Sequence, residues 1–64
     1  MFEYTFIFNF KDGKMEISIQ AKQVEEARNN LAKFLKVHFK ITESLAKKLV
    51  KKSRILFVKV VSNV

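Results

Sequence analysis

At 64 residues the chain is one domain, and folding at this size buries only about 60% of the surface the unfolded chain exposes, so nearly every large apolar side chain is needed for a thin core. The absence of cysteine excludes a disulfide framework, a thiolate nucleophile and a cysteine-based zinc site, and suits a reducing compartment. The net charge of +7 is one-sided: residues 1–32 hold four cations against five acids, whereas residues 33–64 hold nine cations against Glu43 alone, a distribution that creates a directional field for a polyanion.

The first segment, FEYTFIFNF, alternates with period two, Phe2, Tyr4, Phe6, Phe8 and Phe10 on one side and Glu3, Thr5, Ile7 and Asn9 on the other, which predicts a strand. KDGK follows, with Asp12-Gly13 expected as the two central residues of a type I′ turn, and MEISIQA then alternates again. That turn pairs Lys11 with Lys14, Phe10 with Met15, Phe8 with Ile17, Phe6 with Ile19 and Tyr4 with Ala21, and brings Glu3 opposite Lys22.

From Gln23 the period changes. Val24, Ala27, Leu31, Phe34, Leu35 and His38 recur at intervals of three and four, predicting an amphipathic helix to Val37 or His38, with Glu25 and Glu26 in its first turn and Lys33 and Lys36 near its end, as the helix dipole favours. Thr42 is the expected N-cap of a second helix from Glu43 to about Lys52, with Ile41 placed to staple onto Ala46. The segment RILFVKVV is β-branched and aromatic and predicts a third strand. The expected fold is α+β, a single compact domain over residues 1–64 with order ββααβ: a three-stranded sheet in order 2-1-3, an αα-hairpin covering the phenylalanine face, and the third strand's orientation left open.

Catalytic chemistry finds little support. His38, the sole histidine, ends the apolar stripe of the first helix, where an imidazole more often caps carbonyls than reacts. Glu25 and Glu26 point about 100° apart on a helix, and Gly13, the only glycine, cannot make a phosphate-binding loop. No HxxxH or CxxC pairing offers a metal site. A non-enzymatic protein without cofactor or metal is expected. No apolar run approaches the roughly 20 residues of a bilayer span, and MFEYTFIF lacks the flanks of a signal peptide, so a cytoplasmic protein without membrane association is expected. A basic amphipathic helix can lie on an anionic bilayer, but here its apolar face is needed by the core.

The segment LAKKLVKKSR carries the strongest functional signal. On a helical wheel Lys47, Lys51, Lys48 and Lys52 fall within an arc of about 140°, opposite Leu45, Ala46, Leu49 and Val50. Arg54 follows, and Lys36, Lys40 and Lys59 are auxiliaries, with Lys33 at the same helix end. Eleven lysines and two arginines suit point contacts with phosphate rather than bidentate reading of bases, so the expected ligand is the DNA or RNA backbone, bound with little sequence preference and a log–log salt slope near about −4 on duplex DNA. The competing explanation is a merely solvated face, since lysines near a helix end also serve the dipole and solubility.

Regular alternation in the third strand turns Ile55, Phe57, Lys59 and Val61 outward and Leu56, Val58 and Val60 inward. With Ile7 on the neighbouring strand, Ile55 and Phe57 would make an exposed apolar patch, unless the tail Ser62–Val64 covers it. That patch offers either a stacking platform for a base, at Phe57 between Arg54 and Lys59, or a surface for a homodimer or an acidic partner protein. The lysine-rich, glycine-poor composition is also that of AT-rich genomes, including many phages, whose small proteins often bind a host factor.

Overall fold

The computed structural model describes residues 1–61; the expectation that residues 62–64 cover the outer patch lies outside the described residues. The chain forms β1 (Phe2–Phe10), β2 (Gly13–Ala21), α1 (Val24–His38), α2 (Glu43–Lys52) and β3 (Arg54–Val60). The three strands form one sheet in the order β2-β1-β3, and β3 runs antiparallel to β1.

The hairpin forms with its loop one residue earlier than the turn chemistry suggests, which shifts the pairing of the strands by two. Phe10 pairs with Gly13, so Lys11-Asp12 is the loop, and Lys11 (φ 56°) carries the positive φ, which Gly13 does not. This register pairs all nine residues of each strand, whereas the expected one would draw Gln23, the N-cap of α1, into the sheet. Because the slip is two residues and side chains alternate with period two, every face assignment survives: Phe8 meets Met15, Phe6 meets Ile17, Tyr4 meets Ile19 and Phe2 meets Ala21. Glu3 lies opposite Gln20 rather than Lys22, and on its other side opposite Lys59. On the outer face the Thr5 and Ser18 hydroxyls share a hydrogen bond of 2.8 Å.

Helix α1 starts without a side-chain cap from Gln23; Glu26 reaches back to accept from the Lys22 N–H at 2.8 Å. It ends at Phe39, whose N–H donates to the Leu35 carbonyl, followed by Lys40 in the left-handed region at φ 54°. His38 is exposed and stacks on Phe34 (4.2 Å between centroids). Phe39 turns back to stack on Phe10 at 5.1 Å, tying the helix end to the hairpin tip. Helix α2 begins as expected, the Leu45 N–H donating to Thr42 Oγ1 at 3.2 Å, and stops where the Ser53 hydroxyl donates to the Val50 carbonyl at 2.6 Å.

Both helices lie on one face of the sheet, α1 over β2 and α2 over β1, and neither packs substantially on β3. The core is correspondingly narrow: Phe6, Leu31 and Leu35 are its largest fully buried side chains, with Tyr4, Phe8, Leu49 and Val50 and the small Ala21, Ala27 and Ala46 completing it.

The structure departs most from simple alternation in β3. Thr5 pairs with Phe57 but Phe6 pairs with Ile55, so Leu56 has no partner opposite it and forms a β-bulge. The extra residue reverses the faces on its N-terminal side. Ile55, expected outward, turns to the helix face and packs on the core, while Arg54, opposite Ile7, turns to the open face. The inward expectation for Leu56, Val58 and Val60 is corrected in another way. Val58 and Val60 share the face of Tyr4 and Phe2, yet with no helix above them they stay 48% and 74% exposed, as does the bulged Leu56 at 49%.

Candidate nucleic-acid interface

Ala46, Leu49 and Val50 bury one side of α2, so Lys47, Lys48, Lys51 and Lys52 are all exposed, and together with Ser44 they line one open hollow. The expected arc therefore exists, but it is not electrically uniform. Glu43, in the first turn of α2, accepts from Lys36 Nζ and Lys47 Nζ, each at 3.2 Å. Hydrogen bonds from Lys47 and then Lys36, followed by their charges, hold the Glu43 carboxyl below the usual carboxylate range. Lys36 thus belongs to a clasp between the helices, beside Lys33 in the interhelical cleft, and one carboxylate offsets much of the field of two lysines. Lys48, Lys51 and Lys52 have no ion-pair partner among the described residues. Lys40 sits apart in the interhelical loop.

From Lys52 the chain passes through the buried Ser53 into Arg54. The pairing of β1 with β3 ends at Ile7 and Arg54, leaving the β1 edge from Phe8 onward open on that side. A groove forms there, with Ile7, Asn9 and Leu49 in its walls and Lys14, Lys52 and Arg54 as its cations. Lys14 was not among the residues singled out from the sequence, because only the hairpin register brings it opposite Asn9 and so near Arg54. The groove joins the lysines of α2 to the open sheet face, where Arg54, Phe57 and Lys59 share one side of β3, opposite Ile7, Thr5 and Glu3. Phe57 is 53% exposed, Ile7 is half-buried, and Ile55 is not part of this patch.

The same face carries acids on its far side. Glu16 lies opposite Ile7 on β2, and Glu3 lies between Gln20 and Lys59. Positive charge therefore follows α2, the groove and β3, not the sheet as a whole. Among the described residues no three of His, Asp and Glu gather as a metal site would require, and no helix is long and apolar enough to cross a membrane. No family model, curated protein or solved structure matches the chain.

Proposed function

We propose that this chain is a small non-enzymatic cytoplasmic protein that binds the phosphate backbone of nucleic acid with little sequence preference. The observation that carries the reading is the continuity of the cations: Lys48, Lys51 and Lys52 on α2, Lys52, Lys14 and Arg54 around the groove, then Arg54 and Lys59 on β3. A solvated face needs no such continuity across two elements, whereas a polymer of regularly spaced charges does. Lysine predominates, so the contacts are point charges on phosphate rather than forks on base edges. The test is affinity for single- and double-stranded DNA and RNA as a function of salt. Affinity that falls steeply with salt supports the reading, and no binding even at low salt refutes it.

A second reading rests on a separate observation. Leu56, Val58 and Val60 form an exposed apolar ledge along a strand whose outer edge no described strand pairs, a surface that fits a second copy of the chain or an acidic partner protein. Sedimentation of the free protein tests self-association, which Val58→Lys should abolish while leaving salt-dependent nucleic-acid binding intact.

A further inference from the structure

Building on the backbone-binding reading, we infer that the ligand is single-stranded and that one of its bases stacks on Phe57. A large aromatic side chain 53% exposed on the sheet face away from both helices has no role in the core. Its neighbours define what it can receive. The bulge at Leu56 moves Arg54 onto the face of Phe57 and Lys59, so a cation stands on each side of the ring along one strand, roughly 7–10 Å away at the rise of a β-strand. Regular pairing would have put Ile55 in place of Arg54 and left an apolar patch suited to a protein. The bulge instead makes a cation–aromatic–cation strip, the combination by which single strands are held: backbone charge on either side of a stacked base.

The form of the ligand follows. In a duplex both faces of every internal base are covered, so Phe57 could meet only base edges, sugar and phosphate, and the face of its ring would gain little. A single strand presents a free base face at each nucleotide. Opposite Phe57, Thr5 is buried with its hydroxyl engaged by Ser18, so the residue paired with the ring is not placed to read a base edge. Stacking without base readout is the consequence. The path is also constrained, because Glu16 on β2 and Glu3 on β1 repel phosphate from the other strands. The strand runs along β3, past Arg54 into the groove of Lys14 and Lys52, and onto the lysines of α2.

The test compares three ligands of about twelve nucleotides, within the site sizes of single-strand binders: an oligothymidylate, the same sugar-phosphate chain without bases, and a duplex. Phe57→Ser should weaken binding to oligothymidylate by at least about fivefold and leave the other two affinities unchanged. The chain has no tryptophan, so Phe57→Trp supplies a lone reporter whose emission oligothymidylate should quench and the base-free strand should not. This second variant keeps the question answerable if Phe57→Ser disturbs β3. Equal losses on all three ligands, or salt-dependent binding with no effect of Phe57 and no quenching, overturn the stacking inference while leaving backbone binding in place. Failure of the unsubstituted protein to bind any of the three at low salt overturns both.

Discussion

Glu43 and the lysines of α2 should move the salt dependence of binding in opposite directions. Substituting Lys48, Lys51 and Lys52 together with glutamine removes three exposed cations that have no ion-pair partner among the described residues. The helix should survive, since glutamine is nearly as good a helix former as lysine and Ala46, Leu49 and Val50 still anchor it. Counting those lysines with Lys14, Arg54 and Lys59, the whole of the proposed track, gives six phosphate contacts and a log–log slope of about −4.2 on a single strand, which the triple substitution should reduce to about −2.1. Glu43→Gln does the reverse. It releases Lys36 and Lys47 from their 3.2 Å contacts, and if both then reach phosphate the slope steepens to about −5.6. The assay is fluorescence anisotropy of a labelled oligothymidylate between about 50 and 200 mM salt, with circular dichroism to confirm that each variant is folded. Identical slopes for the three proteins would refute the assignment of these cations to the ligand; a shallower slope for Glu43→Gln would refute the view that its carboxylate holds two of them in check.

Other substitutions probe the frame. Leu35→Ala empties a fully buried site and should cost about 2–5 kcal/mol, a large share of the total stability of so short a chain, read as a lowered urea midpoint. Thr42→Ala removes the acceptor of the Leu45 N–H and should cost about 1 kcal/mol in the same measurement. Lys40→Gly relieves a left-handed backbone (φ 54°) and should stabilise by up to about 1 kcal/mol, with little effect on nucleic-acid affinity because Lys40 stands apart from the track. Glu43 has a lowered carboxyl pKa, so the stability from its clasp is present above the ordinary carboxylate range and lost as pH falls through the lowered value. Urea midpoints across that acidic window should therefore fall further for the unsubstituted protein than for Glu43→Gln.

The sequence made some of this architecture legible and concealed the rest for definable reasons. The start of α2 was readable because it has a local chemical cause, the Thr42 hydroxyl before a run of period near 3.6, whereas α1, uncapped at Gln23, showed in its period and its terminal charges. The strand faces were readable too, since period two survives a two-residue slip, but the loop was not: Asp-Gly favours one register while the full length of both strands favours another. The bulge left no mark, because in Arg54-Ile55-Leu56-Phe57-Val58 either alternation places apolar residues on both faces. The arc of lysines was plain on a helical wheel; its division by Glu43 was not, because Lys36 comes from the other helix. Lys14 joined the site only through strand pairing, a long-range relation that composition and spacing do not encode.

Leu56 is a spare part in the strand. Pairing with β1 resumes on either side of it, Phe57 opposite Thr5 and Ile55 opposite Phe6, so the sheet would close over its removal without turning a single neighbour to the other face. A strand is ordinarily the worst place for a chain to lose a residue, yet an in-frame loss of this one codon preserves Arg54, Phe57 and Lys59 on a common side. An insertion between Phe57 and Val60 has no such refuge and would invert whatever lies beyond it. The face of β3 that carries Arg54, Phe57 and Lys59 is thus buffered against changes of length at one position and exposed to them at the next, while Leu56 itself, half-exposed and lining the groove beside Arg54, is where an attached probe would stand in the path proposed for the ligand.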